Sequence, residues 1–186
     1  MLTFLGLKQE DQAFKMKYKD AIKQSMEVLA KENNVVFLGY NISFGSQAYG
    51  TLKDIPKDKK IETPVAENLM MGLAMGMTLE GYHPVVFFER HDFILNSLDA
   101  IVNHLDKLPK MSKGEFEMPI IIRAVVGSKF PLYPGPQHIQ DFTEVFKKLF
   151  SFPLYDPKNA DEILLAYEQA RFSKTPTMIV ERKELY

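Results

Sequence analysis

The sequence contains no cysteine among its 186 residues. A chain without thiols forms no disulfide and has neither a thiolate nucleophile nor a cysteine metal site. No apolar run approaches the length needed to span a membrane. The first residues, MLTFLGLK, are too short and too poorly flanked for a signal peptide. We therefore expect a cytoplasmic protein that has no membrane partner.

The chain also has no large net charge of either sign. The 23 basic and 24 acidic residues give a net charge of −1, which argues against a nucleic-acid partner. Apolar residues make up 46% of the chain and charged residues 25%, as in an ordinary globular protein. A chain of this length buries roughly 70% of its unfolded surface, so we predict one domain over residues 1–186.

Short apolar segments alternate with segments of helical periodicity along the chain. The predicted strands are 35–39, 61–62, 84–88, 119–124, 152–155 and 177–180, and the predicted helices are 12–32, 64–79, 92–108, 142–150 and 160–172. This alternation indicates parallel strands joined by right-handed crossovers. The predicted fold is α/β, a doubly wound, mostly parallel sheet flanked by helices. Ligands then bind at the carboxyl ends of the strands.

The most informative stretch is IETPVAENLMMGLAMGMTLEG, residues 61–81. Thr63 suits a helix N-cap and Pro64 the first helical position. Glu67 comes one position too late for a capping box, and the Met- and Leu-rich helix that follows predicts its burial. The alternative is a first-turn glutamate that only favours the helix dipole, worth less than about 1 kcal/mol when exposed.

This stretch resembles the pyrimidine-binding domain of thiamine diphosphate-dependent, transketolase-like enzymes. The similarity is greatest to the beta subunit of the 2-oxo acid dehydrogenase decarboxylase component. It continues through PVVFFERHDF, LDAIVNHLDKLPKMSKG, PIIIRAVVG, GPQHIQ and TPTMIVERKELY. So many motifs in the same order form a specific signal that covers the chain from about Val35 to its last residue.

The resemblance assigns roles to four residues. Glu67 matches the catalytic glutamate that hydrogen-bonds the aminopyrimidine ring and promotes the imino tautomer, which takes the thiazolium proton. Val65 matches the hydrophobic residue of the family's turn, and Phe93 an aromatic that stacks on the pyrimidine, so both are predicted to bind the cofactor. His138 matches a catalytic histidine near the reactive end of the cofactor. For Phe93, an ordinary core position on its helix is the alternative.

Two departures from the family's pattern concern the substrate. Tyr40-Asn41 stands where the family has an acidic pair, so a second active-site acid is predicted to be lost. Glu89, Arg90 and His91 stand where the family is mostly apolar or amide. We predict that all three lie near the cofactor and that Glu89, Arg90 and His138 bind a polar or anionic substrate. The alternative is that Glu89 and Arg90 pair with each other or with a partner chain.

The family's diphosphate- and magnesium-binding GDG motif is missing from the sequence. We also expect the family's carboxy-terminal domain to be absent from this protein. The resemblance thus implies a partner subunit that holds the diphosphate and the magnesium, in a hetero-oligomer or homodimer. The histidines show no metal-ligand spacing, so this chain is predicted to bind no metal itself. Gly72 and Gly76 share one helix face and pack either against the partner or against the chain's own sheet.

The predicted reaction is decarboxylation of a 2-oxo acid or transfer of a ketol or aldehyde unit. A transketolase-like reaction on a sugar phosphate is one alternative. A non-catalytic assembly or regulatory module that kept the fold is another.

Overall fold

The computed structural model describes residues 16–186, in which six strands form one parallel sheet. The strands are β1 (Val35–Gly39), β2 (Lys60–Glu62), β3 (His83–Phe88), β4 (Ile121–Val126), β5 (Leu154–Tyr155) and β6 (Thr177–Arg182). Their order is β2-β1-β3-β4-β6-β5, and all neighbours run parallel. The predicted α/β parallel fold is confirmed, with strand ends shifted by up to two residues.

Helices cover both faces of the sheet. They are α1 (Tyr18–Leu29), α2 (Glu67–Leu79), α3 (His91–Ile94), α4 (Leu108–Met111), α5 (Thr143–Leu149) and α6 (Ala160–Arg171). One core contains α1 and α6, which pack against each other, and the other contains α2, α5 and most of the segment 91–111. Strands β1, β3 and β4 are buried along their whole length because both of their faces are covered. Residues 12–15 of the first predicted helix lie outside the described part.

The predicted helix over 92–108 is a broken helical segment. Between α3 and α4 lie a 3₁₀ turn (Leu95–Ser97) and a π-helix (Ala100–Leu105). The π character comes from the backbone N–H of Asp106, which donates to the carbonyl of Ile101 five residues earlier at 2.9 Å. The apolar residues of this segment face inward: Ile101 and Leu105 are buried, and Phe93, Leu98, Val102 and Leu108 pack against the same core.

The prediction that Thr63 caps α2 and that Pro64 opens it is wrong. Helix α2 begins at Glu67, after the extended residue Ala66, and has no side-chain cap. The reason is that the backbone N–H of Thr63 donates to the carbonyl of Gly39 at 2.9 Å, so the chain continues along the sheet edge past β2. Glu67 therefore occupies the first helical position and not the fourth.

The sheet has a topological switch point between β1 and β3. From β1 the chain continues to β2 on one side of it and then crosses to β3 on the other. Such switch points open a crevice at the carboxyl ends of the two strands, where ligands bind. Tyr40 directly follows β1 and Glu89 directly follows β3. Within residues 16–186, no helix is both long and apolar enough to cross a bilayer.

Candidate functional site

Glu67 lies at the switch point, and both of its carboxylate oxygens have donors. The Tyr40 hydroxyl donates to Oε1 at 3.3 Å, and Asn96 Nδ2 donates to Oε2 at 3.3 Å. Only 5% of the Glu67 surface is exposed, so its burial is confirmed and the exposed-dipole alternative does not apply. Asn96 belongs to no motif, although its position three residues after Phe93 on a helical segment was a usable signal.

Tyr40, which directly follows β1, is a neutral hydrogen-bond donor to Glu67. It is 5% exposed, and burial raises the pKa of its hydroxyl well above the ordinary value. The carboxylates of Glu67 and Glu89 raise this pKa further. Tyr40 is therefore protonated at neutral pH, and its hydroxyl donates a hydrogen bond to the Glu67 carboxylate.

Glu62, the last residue of β2, fixes the loop that follows β1. Its carboxylate accepts hydrogen bonds from three successive backbone N–H groups, those of Asn41, Ile42 and Ser43, at 2.6, 3.0 and 2.7 Å. This arrangement was not predicted, because the sequence does not show that β2 lies beside the end of β1. It holds the Tyr40-Asn41 turn in place next to Glu67.

Glu89 and Arg90 lie at the same edge but form no ion pair with each other. The Glu89 carboxylate accepts from Asn41 Nδ2 at 3.1 Å. Arg90 Nη1 donates to the backbone carbonyl of Glu89 at 2.7 Å, and its guanidinium lies 5.2 Å from the centre of the Tyr49 ring. Their mutual pairing, one of the two alternatives, is therefore absent.

His91 does not join Glu89 and Arg90 at the crevice, contrary to the prediction. It is fully buried, and its Nδ1 accepts from the backbone N–H of Phe142 at 3.2 Å. Its ring packs against Phe146 at a centroid distance of 5.4 Å. Burial lowers the pKa of His91 to about 4, so the ring is neutral at pH 7. The turn into α3 directs it into the core.

Phe93 and His138 are brought together although 45 residues separate them. Their rings meet edge to face at 5.4 Å and 86°. His138 ends a 3₁₀ turn (Pro136–His138) in the loop that follows β4. This loop begins at the carboxyl end of β4, the strand beside β3. Its Nδ1 is shielded from solvent and has no hydrogen-bond partner among the described residues. Both side chains are half-buried, and Phe93 lies on the helical segment that also carries Asn96.

Val65 and the two glycines of α2 face outward. Val65 is 72% exposed. Gly72 and Gly76 are also exposed, and a Cβ added at either would meet no atom within 4 Å. Packing of these glycines against the chain's own sheet is thereby excluded within residues 16–186. The exposed Leu69 and Leu73 on the same helix extend this surface, which we call the α2 face (Leu69, Gly72, Leu73, Gly76).

Among the described residues, no group of three acidic or histidine side chains converges as a metal site would require. The arrangement at the switch point is instead a buried carboxylate with neutral donors, an aromatic ring and a histidine. Such a set can hold and orient a heteroaromatic ring and exchange a proton with it.

Comparison with known proteins places this geometry in context. The family model for the transketolase pyrimidine binding domain matches residues 14–186. Among curated proteins, the chain is 28% identical to the pyruvate dehydrogenase E1 component subunit beta of Caenorhabditis elegans, over 92% of this chain and 49% of that protein. The subunit of the same name from Rickettsia conorii is 26% identical, over 90% and 52%.

Solved structures show the same fold. A transketolase from Campylobacter jejuni superposes with a TM-score of 0.72 at 16% identity, covering 91% of this chain and 26% of that one. A protein described as a split gene transketolase, inactive beta4 tetramer, superposes with a TM-score of 0.70 at 17% identity, covering 91% and 52%. The chain spans about half the length of the curated relatives it matches.

Proposed function

The chain belongs to the family of transketolase pyrimidine-binding domains, and on this premise we propose that it supplies the pyrimidine side of the active site of a thiamine diphosphate-dependent enzyme. The substrate would be a 2-oxo acid or a ketol donor. The observation that carries the proposal is Glu67, a buried carboxylate at the first position of α2, next to the switch-point crevice and held by two neutral donors.

The residues at the crevice fit the cofactor's aminopyrimidine end. The Glu67 carboxylate would bind a ring nitrogen, since each of its oxygens has lone pairs beyond the one used by Tyr40 or Asn96. Phe93 and Val65 offer aromatic and apolar surface. The unpartnered Nδ1 of His138 would bind a polar atom of the cofactor or the substrate. When bound, the cofactor supplies a carbon nucleophile for the substrate's carbonyl group.

Each residue at the crevice would have a separate task. Glu67 holds or releases a proton at a carboxylate oxygen, and Tyr40 and Asn96 fix the direction of that carboxylate. His138 exchanges protons with the substrate. Glu89 and Arg90 contact its polar groups from the end of β3. The closed turn after β1, anchored on Glu62, excludes water from the Glu67 side.

We place the diphosphate and its magnesium ion on a partner subunit, because the 186 residues contain no GDG motif. That subunit, or a second copy of this chain, would cover the α2 face and the exposed Val65. The relatives named as beta subunits support a hetero-oligomer.

A non-catalytic assembly module is a second candidate, favoured by the exposed apolar α2 face. It differs from the enzyme in one testable respect, the need for the Glu67 carboxylate. The experiment compares wild type with Glu67→Gln in the complex reconstituted with the partner, and Glu80→Gln, an exposed change at the end of the same helix, is the control. Loss of a positioned acid–base group lowers kcat by about 10²–10⁴-fold. Wild-type kcat in Glu67→Gln would contradict the proposed function.

A further inference from the structure

Helix α3 contacts the segment 138–142 through three pairs of residues in antiparallel order. In each pair one residue of α3 meets one residue of that segment: His91 with Phe142, Asp92 with Gln140 and Phe93 with His138. The last pair lies at the crevice, and the first is in the core. The middle pair connects the two, and neither of its members has so far been given a role.

The middle pair is joined by a short, charge-assisted hydrogen bond. Gln140 Nε2 donates to Asp92 Oδ1 at 2.7 Å. Hydrogen bonds to a carboxylate are stronger than those between neutral groups. The second carboxylate oxygen of Asp92, Oδ2, is shielded from solvent and has no hydrogen-bond partner among the described residues. Within this part of the chain, the direction of the Asp92 side chain therefore depends on Gln140.

The backbone on both sides of Gln140 is fixed by other contacts. A Cβ added at Gly127 would lie 1.7 Å from the carbonyl oxygen of His138, so the loop after β4 closes tightly on its own start. On the other side, Arg182 Nη1 donates to Asp141 Oδ2 at 3.0 Å. These two contacts hold the main chain of the segment but do not set the direction of the His138 ring.

The ring of His138 has few contacts that could orient it. Its Nδ1 has no hydrogen-bond partner among residues 16–186, so no bond at that atom fixes the ring. The edge-to-face contact with Phe93 weakens steeply when the two rings move apart. Asp92 precedes Phe93 directly, and Gln140 follows His138 by two residues. The hydrogen bond between Asp92 and Gln140 therefore sets how closely the two rings approach.

We propose that Asp92 and Gln140 are positioning residues for His138. Their hydrogen bond holds the imidazole against Phe93 at the rim of the crevice. The pair does not touch the reacting atoms and acts through His138. Its link to catalysis rests on the proposed function, whereas the contact between the two rings is a property of the chain alone. Asp92 and Gln140 belong to the motifs PVVFFERHDF and GPQHIQ, which did not reveal that they are bonded.

The alternative is that the bond is an ordinary surface contact. Gln140 is exposed and Asp92 is half-buried, so water competes for both groups and the bond contributes little to folding. A surface contact of this kind would leave the His138 ring and turnover unchanged when it is broken. The same exposure means that the pair can be altered without opening the core.

The test exchanges the donor and the acceptor. Gln140→Glu places a second carboxylate beside Asp92 and breaks the bond by repulsion. In the double variant Asp92→Asn/Gln140→Glu an amide again faces a carboxylate, so the bond forms in the opposite direction. Both changes keep the size of the side chains. The control is Gln169→Glu, the same change at an exposed glutamine of α6.

The first measurement is NMR of the histidine rings in the full chain, without cofactor or partner. The ring current of Phe93 shifts the ring signals of His138, one of four histidines. We expect these signals to move towards those of a free histidine in Gln140→Glu and to return in the double variant. The control should keep the wild-type signals. If Gln140→Glu unfolds, Gln140→Ala removes the donor without adding a charge and should give the same movement.

The second measurement is turnover in the reconstituted complex. We expect kcat to fall about tenfold in Gln140→Glu with KM within about threefold of wild type, and kcat to recover to within about threefold in the double variant. Unmoved His138 signals or a wild-type kcat in Gln140→Glu, or no recovery in the double variant, overturns the proposal. Glu67→Gln should leave the contact between Phe93 and His138 intact, so the histidine spectrum tests this inference separately from the proposed function.

Discussion

At the scale of single residues, the environment of Glu67 combines burial with one hydrogen-bond donor to each carboxylate oxygen. Tyr40 and Asn96 come from different parts of the chain, and each donates to a separate carboxylate oxygen. A buried carboxylate that lost one of these donors would be less well oriented and less stable. Tyr40 is therefore a positioning residue whose effect should be visible in kcat.

Tyr40→Phe removes only the hydroxyl that donates to Glu67. We expect the free energy of unfolding to fall by about 1 kcal/mol, the typical net contribution of one hydrogen bond. In the reconstituted complex kcat should fall by roughly tenfold while KM changes little, because the carboxylate is less well oriented. Tyr82→Phe, on an exposed tyrosine, is the matched control. A wild-type kcat in Tyr40→Phe would contradict the positioning role of Tyr40.

Because burial lowers the pKa of His91, we expect the stability of the folded protein to depend on pH. Its pKa is about 4 in the folded protein against an ordinary value of 6.5, so the unfolded chain binds more protons between these values. Stability is therefore lost as the pH falls from 6.5 towards 4, by up to about 3 kcal/mol. Urea unfolding across this range should show the loss in wild type and a smaller loss in His91→Phe. The control is His104→Gln, a change at an exposed histidine, which should lose stability as wild type does. An equal loss in wild type and His91→Phe would contradict the role of His91.

Residue roles could be predicted only where a motif carried them. Glu67 was identified because several motifs surround it, and its burial followed from the apolar helix. The contacts of Tyr40 and Glu62 could not be predicted, because each depends on which strand ends lie side by side.

At the scale of elements, α2 has two different sides. Met70, Met71 and Ala74 are buried against the sheet, while the α2 face is open to solvent. An exposed apolar surface that includes two glycines allows another backbone to approach closely. The helix thereby links the position of Glu67 to the proposed subunit interface.

Gly72→Leu and Gly76→Leu test this surface. Each leucine has free space in the isolated chain and improves helix propensity, so the unfolding free energy should stay constant or rise by up to about 1 kcal/mol. Assembly with the partner, followed by light scattering, should weaken because the close approach is blocked. Gly72→Ala is the matched control and should assemble nearly normally. A normal assembly together with a lower melting temperature would show that the face packs within the chain.

Element positions followed from periodicity, but element ends did not. The start of α2 depends on the bond between Thr63 and Gly39, which exists only in the folded sheet. The π-helix at Ala100–Leu105 likewise has no separate signal in the sequence, since its apolar residues keep an ordinary helical spacing.

At the scale of the whole molecule, the alternation of strands and helices was enough to predict a parallel α/β sheet. The order of the strands was not predictable from it, and that order creates the switch point beside Glu67. The buried pair of Arg123 and Glu181 also had no sequence signal, because 58 residues separate the partners. This pair connects the turn at Thr51 to the carboxyl end of the described chain.

We expect thiamine diphosphate to bind tightly only to the complex of this chain with its partner subunit. The full chain alone should bind thiamine diphosphate weakly, because its sequence carries no GDG motif for the diphosphate and magnesium. Calorimetry should detect tight, magnesium-dependent binding only after the partner subunit is added. Tight binding by the chain alone would contradict the division of the site between two subunits.

The most direct test of the central claim is the rate of hydrogen–deuterium exchange at the thiazolium C2 atom of thiamine diphosphate, measured by NMR in the reconstituted complex. The account predicts fast exchange in wild type and in Glu80→Gln. It predicts exchange slower by about 10²–10⁴-fold in Glu67→Gln, since the positioned carboxylate is lost. Exchange in Glu67→Gln at the wild-type rate, with the cofactor shown to be bound, would contradict the role of Glu67 and with it the proposed function.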